Sequence, residues 1–154
     1  MADLSFYEAY RNNEFVVEID GIESPGVTKV SGLSEGSVEP IPQPDGGSST
    51  IHQISSGVVK YEDLTLERNV DGSAADGAFK SWFKEMFRLD GTYGGGSRLR
   101  KNGAVVHKQA GKEVQRFVFE GAWIKSSKFS DLEAGGTGLM KQTVVLVVER
   151  LYRA

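Results

Sequence analysis

Apolar and polar residues alternate along much of this chain, and a period of two predicts β-strands with one buried face. Phe15, Val17 and Ile19 share one face of the first predicted strand, and Gly21 follows at a turn. The same pattern recurs further along the chain and predicts about seven strands in total. The later predicted strands cover residues 27–30, 58–68, 98–107, 114–125 and 142–151.

The last predicted strand differs from the others because residues 144–148 are apolar at every position. A strand that is apolar on both faces belongs at the centre of a packed structure, or where a second surface covers it. We therefore expect this strand to lie in the middle of the fold.

One segment shows a helical period instead. Five large apolar residues recur with the spacing i, i+3, i+4, i+7 and i+8, which forms a wide stripe on one side of a helix predicted over 73–90. Ser73 or Asp76 can cap its start, and Gly91 follows its end. We expect this stripe to dock the helix on the sheet, with Trp123 as a further buried anchor. The stripe consists of Phe79, Trp82, Phe83, Met86 and Phe87.

The segment 37–57 has a different composition, with three of the four prolines of the chain and few large apolar residues. Proline resists central strands, and Asp45-Gly46-Gly47 favours a chain reversal. We expect an extended hairpin or loop that projects from the body, and long segments of this kind are usually functional or disordered. Its candidate contact residues are Glu39, Ile41, Gln43, Asp45, Gly46, Gly47, Ile51, His52 and Ile54.

The length of 154 residues and the high glycine count of 19 complete the prediction of the fold. The length is that of one ordinary domain, and the glycines lie mostly between apolar runs, which favours many turns. We predict a mainly β protein: one domain over 1–154, built as a sandwich or barrel of about seven strands with one flanking helix.

The net charge of −3 conceals an asymmetry along the chain. Residues 1–76 hold 14 acidic and 4 basic residues, a net of −10, whereas residues 77–154 hold 7 acidic and 14 basic residues, a net of +7. Two interpretations stay open. Both signs intermix after folding, or they lie on different faces and favour head-to-tail self-association.

Residue types that carry chemistry are scarce. The chain has no cysteine, which excludes disulfides, thiolate metal sites and cysteine nucleophiles. His52 and His107 have no second ligand at i+2 or i+4, and Gly94-Gly95-Gly96 lacks the lysine and hydroxyl residue of a phosphate loop. We therefore expect no catalytic residue, no metal and no cofactor, and we predict that the protein is not an enzyme.

The amino terminus lacks a basic start followed by an apolar core, and no apolar run approaches the ~18 residues of a membrane helix. We expect a protein without a signal peptide that does not itself insert into a membrane.

Several segments, taken in order, resemble the tail-tube (inner-tube) protein family of contractile phages and contractile injection systems. The closest is VKYEDLTLER over 59–68, which precedes the apolar helix. The other matching segments are NEFVVEIDG over 13–21, VSGLS over 30–34, FVFEGAW over 117–123 and the last strand with ERL over 149–151. Residues 94–107 are not distinctive of the family.

The resemblance implies a fold similar to that of the ring-forming subunits of type VI secretion. Subunits would close homohexameric rings by joining their sheets, and the rings would stack into a hollow tube inside a contractile sheath. Implied partners are the sheath protein, baseplate or spike proteins, tube-terminating proteins and a cargo of DNA or protein effectors in the lumen. The protein would be made in the bacterial cytoplasm and then become part of the particle.

Within that architecture the projecting segment suits contact between rings. A second hypothesis from another class is a monomeric β-barrel that binds a small molecule in an apolar pocket. The projecting segment and the charge asymmetry favour assembly over that alternative.

Overall fold

The computed structural model describes residues 9–24, 26–47, 49–86 and 99–154. These residues form ten strands and one α-helix, α1 (Ala74–Met86). The strands are β1 (Phe15–Ile19), β2 (Ile22–Ser24), β3 (Val27–Ser31), β4 (Ser37–Pro44), β5 (Ile51–Lys60), β6 (Leu64–Asn69), β7 (Lys101–Gln109), β8 (Lys112–Phe129), β9 (Lys141–Val147) and β10 (Arg150–Arg153).

Strand β8 organises the sheet because its 18 residues take part in two layers. Its first part pairs with β7 on one edge and with β10 on the other, and its last part pairs with β9. The full order is β2-β1-β7-β8-β9-β6-β3. The register of β8 shifts between Ile124 and Ser126, close to Gly121, whose φ is +64°. Such irregularities bend a strand.

The bend divides the strands into two layers that face each other. The first layer holds β2, β1, β7, β10 and the start of β8, and the second holds the end of β8, β9, β6 and β3. The expectation of a mainly β fold with one helix is confirmed for the described residues, and the arrangement is a sandwich rather than a closed barrel.

The core fills the space between these layers. In the first layer Val17 lies opposite Val105, and in the second layer Leu66 lies opposite Val144, so each pair directs its side chains to the same face. All four side chains are at most 2% exposed. Strand β9, which holds most of the run that is apolar on both faces, is paired on both edges.

Helix α1 begins as the sequence predicts, because the backbone N–H of Asp76 donates to the Ser73 hydroxyl at 3.3 Å. Phe79, Trp82 and Phe83 lie in the core, and Met86 packs against it. The indole N–H of Trp82 donates to the carbonyl of Leu99 at 2.8 Å, which satisfies the only polar atom of that buried side chain. Phe87 and the predicted end of the helix at 90 lie outside the described residues.

Two expectations differ from the structure. The strand predicted over 58–68 is divided into β5 and β6, which belong to different sheets. Trp123, expected to be a buried anchor, is only half-buried and does not belong to the core cluster. The reason is the register of β8: Ala122 and Ile124 take the inward positions, so that Trp123 lies between them on the outer face.

Gly103 of β7 provides a test of how closely the first layer is packed. A Cβ at this position would lie 2.3 Å from the Glu18 carbonyl oxygen and 2.5 Å from the Phe119 ring. We expect Gly103→Ala to lower the free energy of unfolding by about 1–3 kcal/mol, because neither backbone nor ring can move away freely. Urea unfolding followed by circular dichroism measures this. Gly138→Ala is the matched control, because nothing lies within 4 Å of a Cβ there.

Candidate assembly surfaces

Strands β4 and β5 form a two-stranded antiparallel ribbon that pairs with no other described strand. Every residue of β4 is exposed, and in β5 only Ser56 is partly buried. The ribbon, which we call the hairpin (37–60), includes all nine candidate contact residues and extends three residues beyond the segment proposed from the sequence. All nine are exposed.

The hairpin exposes large apolar side chains to an unusual degree. Ile51 is 58% exposed and Ile41 and Ile54, which lie opposite each other, are 47% and 46% exposed. Val58 and Val59 near its base are also exposed. Ile41 and Ile54 share one face of the hairpin and Ile51 lies on the other, so both faces carry exposed apolar side chains. Large apolar side chains exposed in this way mark interaction surfaces in soluble proteins.

Proline controls the two edges of the hairpin differently. Pro40, Pro42 and Pro44 occupy every second position of β4, so they share one orientation along the strand. Proline has no N–H, so the residues between them must donate the ladder hydrogen bonds to β5. The prolines therefore remove the donors from the outer edge of β4 and leave β5 as the edge that can accept another strand.

An ion pair stabilises the base of the hairpin. The Lys60 ammonium lies 2.8 Å from Glu39, where the register between Val38 and Pro40 shifts. The hydrogen bond and the positive charge of Lys60 lower the pKa of Glu39 below its ordinary value of 4.5. Both groups are well exposed, so this pair orients the base rather than stabilising the whole fold.

We expect the base of the hairpin to loosen in acid. A carboxyl group whose pKa is lowered on folding stabilises the fold above its unfolded pKa, and this contribution disappears as the pH falls through the lowered folded value. Amide hydrogen exchange of β4 and β5 should therefore speed up below pH 4.5 beyond the intrinsic effect of pH. Glu39→Gln should remove this pH dependence, whereas an unchanged profile would contradict it.

At the other end of the second layer the core ends at a buried charged side chain, Arg68. Arg68 continues the inward-facing positions of Leu64 and Leu66 on β6, and it is fully buried. Its Nη1 donates to the Asp76 carboxylate at 2.7 Å and to the side-chain amide oxygen (Oε1) of Gln142 at 2.8 Å. These bonds tie the first turn of α1 to β6 and β9.

The rest of the Arg68 guanidinium is only partly compensated. Its carbon lies 4.9 Å from the centre of the Phe79 ring, a cation–π contact. Its Nε and Nη2 have no hydrogen-bond partner among the described residues. Gln142 in turn donates to the Ser127 hydroxyl at 2.8 Å, which extends the network to β8.

An open cavity of about 500 Å³ lies beside this network, between α1 and the end of the second layer. Val70, Phe83 and Phe129 give it apolar walls, and Lys80 and Lys84 supply positive charge from α1. Both lysines are exposed, and neither has an ion-pair partner within the described part of the chain. Sequence reasoning did not find this cavity or the buried Arg68.

Arg68 provides a test of the network. We expect Arg68→Ala to lower the free energy of unfolding by about 3 kcal/mol, because it leaves Asp76 and Gln142 without their partner and creates a cavity. Arg68→Met, which keeps most of the volume, should cost less. Arg153→Ala is the control, since that side chain is 57% exposed. Urea unfolding that gave equal values for Arg68→Ala and the control would contradict this role.

Groups for chemistry are not brought together in the structure. Among the described residues no three histidine or acidic side chains converge in a way that could hold a metal ion. His52 lies on the hairpin, while His107 of β7 contacts Gln115 at 2.9 Å and the carbonyl of Arg11. In the same residues no helix is long and apolar enough to cross a bilayer.

The sandwich thus carries a separately paired hairpin with exposed isoleucines, and comparison with protein families shows the class of protein. Residues 11–152 match the family described as T4-like virus tail tube protein gp19. Because this match covers almost the whole sequence, the chain belongs to that tail tube family. No curated protein matches the sequence significantly.

Solved structures share the fold at low sequence identity. One is a chain of an extracellular contractile injection system, the PVC sheath–tube complex in the extended state, with 17% identity and a TM-score of 0.75 over 95% of this chain and 91% of that one. Another is the tube-terminating cap of the anti-feeding prophage, with 16% identity and a TM-score of 0.80 over 99% and 95% of the two chains. Hcp1 from Flavobacterium johnsoniae is more distant, with 14% identity and a TM-score of 0.54 over 91% and 94%.

Proposed function

We propose that this protein is the structural subunit of the rigid inner tube of a contractile phage tail or contractile injection system. Homohexameric rings stack into a hollow conduit, which sheath contraction drives through a target envelope so that DNA or protein effectors pass. The observation that carries the proposal is the exposed apolar hairpin on a body of the tail tube family. The role is mechanical, and the protein is not an enzyme and needs no cofactor.

Ring closure uses the free edges of the sandwich. Among the described strands β10 pairs only with β8, and β3 pairs only with β6, so each has one open edge. Open strand edges tend to pair with other strands, and head-to-tail pairing around a rotation axis covers the two joined edges in every subunit of a closed ring. A single domain over 1–154 is sufficient for this arrangement.

Contact between rings is assigned to the hairpin. Its nine candidate residues are exposed, and its isoleucines would otherwise remain in water in the assembled particle. Burial of each isoleucine on stacking contributes roughly 1.5–3 kcal/mol at most. Each subunit of a ring contributes one hairpin, so several modest contacts act together to hold two stacked rings rigidly.

The proposed partners are a sheath protein, baseplate or spike proteins, tube-terminating proteins and the cargo in the lumen. Chains of similar fold come from structures described as a sheath–tube complex, a tube-terminating cap and a baseplate, which supports this set. The protein is made in the bacterial cytoplasm and then joins the particle. The alternative of a small-molecule-binding barrel has no support in the sandwich topology.

Shortening the hairpin tests the proposal. Replacing residues 41–54 by an Asn-Gly turn removes the exposed isoleucines but keeps the paired base. We expect a folded subunit that forms rings and does not stack, because the core lies elsewhere. Circular dichroism checks the fold, and negative-stain microscopy counts rings and tubes.

The unmodified protein is the reference in this experiment. If it remains monomeric at high concentration and forms neither rings nor tubes, the proposed function is wrong. If the shortened protein stacks as well as the unmodified one, the assignment of the hairpin to ring contact is wrong.

A further inference from the structure

The hairpin and the cavity beside Arg68 lie at opposite ends of the second layer. Strand β6 begins at Leu64, four residues after the hairpin ends, and it runs to Asn69, next to the cavity residue Val70. At ~3.3 Å per residue the five steps of β6 span roughly 17 Å. Strand β9 lies antiparallel beside β6, with Leu146 opposite Leu64 and Lys141 opposite Asn69, so Lys141 also lies at the cavity end.

Stacking of identical rings requires two different surfaces on each subunit. A head-to-tail contact joins one patch to a second patch elsewhere on the next copy, in contrast to a two-fold contact. We propose that the cavity lined by Val70, Phe83 and Phe129 receives the tip of the hairpin from a subunit of the adjacent ring. This inference rests on the proposed function and adds the receiving site.

The charges of the two surfaces are complementary. Between residues 41 and 54 the hairpin holds one acidic residue, Asp45, and no lysine or arginine. Lys80 and Lys84 stand one turn apart at the cavity, and both are exposed. An incoming carboxylate would therefore meet two cations whose charge is not already neutralised by a neighbour in the described chain.

The acidic group that belongs to the cavity does not oppose this contact. Asp76 also lines it, but its carboxylate lies 2.7 Å from the buried Arg68 guanidinium, which neutralises it. Lys80 and Lys84 are therefore the charged cavity-lining side chains that have no ion-pair partner among the described residues.

The apolar parts match as well. Phe129 is 54% exposed in the subunit, and Leu132 and Leu139 in the loop that follows it are 81% and 73% exposed. Ile51 beside the hairpin tip is 58% exposed. Seating the tip against this end would cover apolar surface on both copies at once. A volume of about 500 Å³ is in the range of sites that bury a small ligand and can hold a few side chains.

The absence of cysteine from the chain permits a direct test by cross-linking. We expect a variant with Asp45→Cys and Lys84→Cys, assembled at raised protein concentration because it lacks the charge pair, to form tubes that become covalent multimers on mild oxidation, visible as a ladder in non-reducing gels. A disulfide needs Cα atoms within about 7 Å, so it reports direct contact. The matched control combines Asp45→Cys with Lys112→Cys at the exposed β7–β8 turn and should remain monomeric in the gel.

Charge reversal gives an independent readout. We expect Lys84→Glu to raise the concentration needed for tube formation by at least roughly tenfold, because a weak exposed pair is repeated around every ring. Combining it with Asp45→Lys should restore most of the loss. Lys112→Glu changes the net charge equally and should leave assembly unchanged.

The outcomes separate this inference from the proposed function. Tubes of the double-cysteine variant that give no ladder, or that give the same ladder as the Lys112→Cys control, would show that the hairpin docks elsewhere while the stacking function stands. Binding of a small molecule at the cavity without any effect of Lys84→Glu on assembly would also overturn the receiving role. Failure of the unmodified protein to form tubes would instead overturn the proposed function.

Discussion

The fold depends on one strand that belongs to two layers. The 18 residues of β8 pair with β7 and β10 before the bend and with β9 after it, so both layers are hydrogen-bonded to one continuous strand. The inward side chains of that strand, among them Phe119 and Ile124, belong to the same core cluster as residues from both layers and from α1. The hairpin can stay exposed because none of its residues belongs to the core cluster.

The spacing of apolar residues predicted which faces of the helix and of several strands are buried, but not the contacts between residues distant in sequence. The apolar stripe of α1 and the alternation on β1, β6 and β9 follow from side-chain direction, which depends on neighbours in sequence. The alternation on β6 also predicts an inward position for Arg68, because it follows Leu64 and Leu66 at every second residue. Its charge, however, favours a surface position when only neighbours in sequence are considered. Its burial depends on Asp76 and Gln142, and Gln142 is distant in sequence.

The assembly surfaces were predicted unevenly for the same reason. Proline and glycine mark a projecting segment locally, so the hairpin was found with nearly correct bounds. The outward turn of Trp123 follows from the long-range register of β8 with β9, and the cavity forms only when α1 lies over the end of that layer. Neither can be obtained from spacing along the chain.

The alternating prolines of β4 make the hairpin a ribbon that can grow on one side only. A ribbon with two open edges could add strands from other chains on both sides without limit, which is how exposed apolar sheets form amyloid. Here only the edge of β5 can pair with another strand. A newly made subunit therefore exposes its isoleucines on a ribbon with one open edge instead of two. The two edges of the ribbon are therefore chemically different, and an assembly that uses only one of them has a defined direction.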